Sequence, residues 1–211
     1  VSAYLTELST DQLAPIKRTV AFHEAGHAVA ATLLKVACTG ASVFHGYTDE
    51  QFRRRSAFGQ ILDDKSQDES AQVTKTSGNI IRILSLTERR DRARTKTGYR
   101  LALVCAAGPV AEAIADNNPF PLGADGDWSL IEQIADDLGF SPARAVGFVE
   151  LAIKRASLLF NQPRNWRAIE EVADSLIVGE RVSPAEVESI VRRARRAARQ
   201  VHHCSRRCLE Y

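Results

Sequence analysis

The chain has 211 residues, of which 45% are hydrophobic and 26% charged, and its formal charge is +2. That length suffices for one domain with a substantial core, and the composition excludes a disordered, fibrous or collagen-like chain. So small a net charge gives no general reason to expect nucleic acid or anionic lipid as a partner. The basic residues are nevertheless uneven: seven arginines and one glutamate lie between Val191 and Tyr211.

Cys38, Cys105, Cys204 and Cys208 show no disulfide-framework spacing, which suits a reducing compartment and a cytoplasmic protein. The longest uninterrupted apolar run, Leu101 to Ala111, is about half of a bilayer span, and no signal peptide is recognisable, so no membrane span is expected. The chain begins at Val1 and contains no methionine, the expectation for a trimmed product.

Residues 1–15 read as a polar lead-in, with Ser9-Thr10-Asp11-Gln12 capping a short turn and Pro15 opening the next helix. Ile16 to Lys35 is then a long helix containing Ala21-Phe22-His23-Glu24-Ala25-Gly26-His27-Ala28. Histidines four residues apart on a helix lie one turn apart and face the same way, so His23 and His27 can share a metal ion. Glu24 stands beside the open coordination position and is the candidate general base, which takes a proton from water and hands it to a leaving amine. This is the His-Glu-x-x-His pattern of zinc peptidases. The helix around it is apolar, and two imidazoles and a carboxylate buried there without partners would be costly. Gly26 lowers helix propensity and predicts a close neighbour across its face.

Gly40 to Asp64 reads as extended, with strand candidates at Ala41–His45 and Ala57–Leu62 around a polar loop. The second is the candidate edge for substrate backbone, which makes Phe58, Gly59 and Gln60 the candidate substrate-binding residues. Ile80–Leu86 fits a strand or a helical turn, and the charged stretch Glu88–Arg100 a solvated helix face or a loop. Tyr99 to Asp116 is a helix apolar almost all round, hence a core helix, with Pro109 a place for a kink or break. Further helices are predicted over Asp127–Gly139, Pro142–Gln162, Trp166–Val178 and Pro184–Gln200, a bundle joined by short loops.

A peptidase zinc needs a third protein ligand. Asp125 and Asp127 follow a glycine-rich turn at a helix entry, where the alternative role is an N-cap; Glu112 lies on the apolar helix. Spacing leaves the choice open among these three. His202-His203-Cys204 with Cys208 has no recognised metal spacing, and His45 reads as a surface or satisfied histidine.

The stretch Ile16 to Ala28 resembles the start of the peptidase domain of the FtsH family, the ATP-dependent zinc proteases. Ala107-Gly108-Pro109-Val110-Ala111-Glu112 is similar to that family's Ala-Gly-x-x-Ala-Glu helix, and Gly123-Ala124-Asp125-Gly126-Asp127 to its Gly-Ala-Ser-Asn-Asp turn. Trp166 to Ile190 is similar to its closing helices. The resemblance implies that Asp127 is the third zinc ligand beside His23 and His27, with Glu24 catalytic. It departs from the family at Asp125-Gly126 and at Pro109, and no Gly-x-x-x-x-Gly-Lys phosphate loop occurs in the chain.

The resulting expectation is a mainly α fold, with a zincin-like active-site helix, a small β-hairpin or sheet and a helical bundle. Residues 16–191 would form a Zn2+-dependent peptidase domain and 192–211 a basic tail. Its substrates would be peptides or unfolded polypeptides, cut without a motor in this chain. A homo-oligomer or a separate partner ATPase fits the resemblance, and no nucleic-acid partner is expected. The alternative is a catalytically silent adaptor that binds zinc and peptide.

Overall fold

The computed structural model describes residues 10–38, 40–42, 91–119, 121 and 124–207, with side chains for 17–38, 40–42, 95–119, 121 and 124–198. The elements are α1 (Thr10–Leu34), β1 (Ala41–Ser42), α2 (Asp91–Asp116), α3 (Asp125–Asp137), α4 (Pro142–Phe160), α5 (Pro163–Gly179), β2 (Arg181–Val182) and α6 (Pro184–Arg207). Among the described residues the fold is mainly α with a small two-stranded antiparallel sheet.

Helix α1 is the centre, packed against α2, α5 and α6. Its alanines explain the closeness: Ala21, Ala25, Ala28, Ala30 and Ala31 are buried, and small side chains let helix backbones approach. Gly26 marks the tightest point. A Cβ there would lie 2.5 Å from the Ala107 carbonyl oxygen and 2.7 Å from the Ala111 Cβ, so the neighbour predicted for Gly26 is α2. On another face Phe22 stacks on Trp166 of α5 with ring centroids 5.8 Å apart. A second aromatic group, Tyr99, Phe140 and Phe148, joins α2 to α4 and the turn before it.

Helices α1 and α2 run antiparallel in a fixed register. Arg18 pairs with Asp116 at 3.0 Å, and the Thr19 hydroxyl donates to the same carboxylate at 2.6 Å. One turn further along α1 and one turn back along α2, His23 meets Glu112. Another turn brings His27 against Gly108. The helix–helix register therefore delivers the histidines to particular residues of α2.

Several boundaries differ from the sequence reading. Helix α1 starts at Thr10 and passes through Pro15, because a proline this near the N-terminus removes one main-chain bond, the one to the Asp11 carbonyl. Helix α2 starts at Asp91, so residues 91–100 of the charged stretch, read as a solvated helix face or a loop, are helical and continuous with the core helix. Pro109 lies inside α2 without breaking it. Thr95–Asp116 has the length and composition to cross a membrane, which the count of uninterrupted apolar residues did not register, yet most of it is buried among the other helices.

The sheet is not a local hairpin. Ala41 pairs with Val182 and Ser42 with Arg181, so β1 binds the chain just after α5. Gly40 makes that crossing feasible: its φ is +107°, and a Cβ would lie 2.5 Å from the Val182 carbonyl oxygen. Strand residues expected at 43–45 and 57–62, with Phe58, Gly59 and Gln60, lie outside the described residues, as does 80–86. The expected divisions at 15/16 and 191/192 fall inside α1 and α6.

Candidate metal centre

Three ligand-type side chains converge where α1, α2 and the start of α3 meet. The ligand atoms of His23, His27 and Asp127 all lie within 4.8 Å of one another. His23 Nε2 is 3.1 Å from Asp127 Oδ2, His27 Nε2 is 3.3 Å from Asp127 Oδ1, and the two Nε2 atoms are 3.1 Å apart. A tetrahedral zinc with bonds of roughly 2.0–2.1 Å has ligand–ligand edges of about 3.3–3.4 Å. The two Nε2 atoms are spaced close to such an edge, and each reaches a different oxygen of the Asp127 carboxylate, which spans the pair.

The far nitrogen of each ring settles which nitrogen faces the centre. His27 Nδ1 is 2.7 Å from the Val104 carbonyl oxygen, which can only accept, so Nδ1 donates there and Nε2 is the nitrogen turned to the centre. His23 Nδ1 donates to Glu112 Oε2 at 2.9 Å, leaving its Nε2 for the centre. Carbonyl and carboxylate partners behind metal-binding histidines orient the rings and make them better ligands.

Asp127 is the carboxylate that meets the Nε2 atoms. Ala124 occupies the N-cap of α3 without any side-chain cap bond, so neither aspartate serves as the cap. Asp125 is exposed in the first turn, and its main-chain oxygen accepts from Ser129. Glu112 is buried behind His23, as its support.

Gly108 supplies the space. A Cβ on this residue would overlap His27 Nε2 and sit 2.8 Å from His23 Nε2. The α2 backbone thus forms one wall of the centre, and any side chain there would occupy the space between the ligand nitrogens.

The three groups and Glu24 act strongly on one another electrostatically. Burial alone would lower the His23 pKa, but hydrogen bonds to Asp127 and Glu112 outweigh it and raise the pKa to about 10. Burial likewise opposes protonation of His27, and the Asp127 charge reverses the balance. Asp127 is held well below the usual carboxylate range: burial would raise it, and the two histidines more than offset that. Glu24 is raised by burial, against the pull of both histidines. Its Oε2 is buried with no hydrogen-bond partner among the described residues. An unpaired buried carboxylate oxygen is costly, which is consistent with a ligand or solvent partner at this place.

The residues present therefore fit a divalent metal: two imidazole nitrogens that lose their protons when a metal binds, one carboxylate, a second carboxylate behind, and a cradle that a Cβ would fill. Cys105 is buried and its thiol pushed up, chiefly by burial, which suits a packing residue. Gly108, the Val104 carbonyl and the supporting place of Glu112 were not read from the sequence. One signal was available: Val104, Gly108 and Glu112 recur at intervals of four on α2, matching the interval between His23 and His27.

Comparison with protein-family models, curated proteins and solved structures finds no match to this chain.

Proposed function

We propose that this chain is a zinc-dependent metallopeptidase that hydrolyses peptide bonds in flexible or unfolded polypeptides. The observation that carries the reading is the convergence of His23 Nε2, His27 Nε2 and the Asp127 carboxylate beside an unpartnered, buried Glu24 oxygen. The motif resemblance to the FtsH peptidase domain supports it and rests on the residues quoted above. Zinc suits two imidazoles and one carboxylate with room for a further ligand.

When bound, such a metal acts as a Lewis acid on a carbonyl and lowers the pKa of water. The chain's own groups do the rest. His23 and His27 offer Nε2 lone pairs because Glu112 and Val104 hold their Nδ1 protons. Asp127 and Glu112 together balance the charge of a dication. Glu24 accepts the proton of the attacking water and returns it to the amine nitrogen as the peptide bond breaks. Amide hydrolysis then needs no covalent intermediate on the protein.

The test is Glu24→Gln, assayed on fluorescent-quenched peptides and on unfolded casein. Zinc content should be unchanged, while hydrolysis should fall by about 10²–10⁴-fold, the usual contribution of a general acid–base. Full activity in Glu24→Gln would contradict the mechanism. Absence of hydrolysis in zinc-loaded wild type, with peptide still bound, would favour the silent adaptor.

A further inference from the structure

Helix α6 separates its residues by face. Val187, Ile190, Val191 and Ala194 are buried against α1 and α5. Arg192, Arg193, Arg195 and Arg196 are exposed. Arg193 pairs with Glu171 of α5 at 3.1 Å. Among the described residues no ion pair involves Arg192, Arg195 or Arg196. These three stand at i, i+3 and i+4, which places them on one side of the helix. The helix expected over Pro184–Gln200 continues to Arg207, and no acidic residue follows Glu188 within it.

We propose that this arginine face docks duplex nucleic acid through its phosphates, independently of the metal centre. Three features favour that partner. First, every Lys or Arg position of α6 is arginine, whose planar fork matches phosphate oxygens in pairs. Second, membrane surfaces are ill-suited: the apolar stripe is already buried in the bundle, and its described residues are valine, isoleucine and alanine, with no Trp, Phe or Leu to enter lipid. Third, α6 carries no aromatic residue on which unpaired bases could stack, so the backbone of a duplex fits better than single strands.

The test uses the full chain and a labelled 20-base-pair DNA duplex, read by fluorescence anisotropy between 50 and 200 mM NaCl. Three phosphate contacts give a log–log salt slope of about −2.7, or roughly a 40-fold loss of affinity over that range. The triple variant Arg192→Ala, Arg195→Ala, Arg196→Ala should lose this slope with an unchanged circular dichroism spectrum. The corresponding triple lysine variant should keep the slope. Absence of duplex binding at 50 mM salt would overturn the proposal, as would a triple alanine variant that binds as wild type. Competition by polyglutamate as strong as by DNA of equal charge would also overturn it, because the partner would then be an acidic protein. Tighter binding to anionic vesicles than to the duplex would assign the face to lipid instead.

Discussion

Glu112 accepts a hydrogen bond from Nδ1 of His23 at 2.9 Å, from the opposite helix and within the buried interface. That bond is one rung of a series. Thr19 with Asp116, His23 with Glu112 and His27 with Gly108 advance four residues along α1 and retreat four along α2. The His23–His27–Asp127 cluster thus follows from packing: the same register that closes the core also points both Nε2 atoms toward α3.

Removing the acceptor should therefore weaken the metal without removing a ligand. Glu112→Ala is expected to lower zinc affinity by about 10–100-fold, as for other supporting carboxylates. Chelator competition measures this. Unchanged affinity would show that His23 is oriented by packing alone.

Gly108→Ala separates space from helix propensity. In an ordinary helix interior the change would stabilise by about 0.5–1 kcal/mol. Here the new Cβ overlaps His27 Nε2, so zinc binding should be lost and thermal stability should not rise. Retained zinc with a raised Tm would mean that the α2 wall lies further from the ligands.

The acid–base behaviour has a definite sign. His23 in the metal-free protein has a pKa raised to about 10, and a protonated ring cannot bind a metal. Zinc affinity should therefore climb at least tenfold per pH unit through the neutral range, with proton release on binding. Titration calorimetry in two buffers of different ionisation enthalpy measures that release. An affinity flat between pH 6.5 and 8.5 would contradict the charge state.

The same shifts fix how the metal-free protein responds to pH. His23 is raised, so its contribution is complete below the unfolded value near 6.5 and is lost as pH rises toward about 10. Asp127 is lowered, so its contribution is present above 3.8 and is lost as pH falls through its folded value. The pair should stabilise metal-free protein most between those two unfolded values. Zinc should raise Tm most at higher pH, where the metal-free protein has lost the His23 contribution and zinc binds more tightly. Thermal melts across pH, with and without chelator, check both parts.

Helical periodicity and Pro or Gly punctuation made most of this architecture legible in advance. His23, His27 and Glu24 stood out because their spacing has a geometric meaning on any helix. The pairing of Ala41–Ser42 with Arg181–Val182 was not legible, since two-residue strands have no period and their partners lie far apart in the chain. Gly108 and the Val104 carbonyl were hidden for a related reason. A missing side chain and a main-chain oxygen gain a role only once the register of two helices is set. Asp127 needed a motif resemblance to be singled out, because Asp125 offers the same side chain two residues earlier.

The most direct measurement is elemental analysis of purified wild-type protein beside Asp127→Ala, each after zinc loading and desalting. The account predicts about one zinc per chain in the wild type, lost or greatly weakened in the variant, since two histidines alone do not make a tight site. No zinc in the wild type, or undiminished zinc in Asp127→Ala, would contradict it.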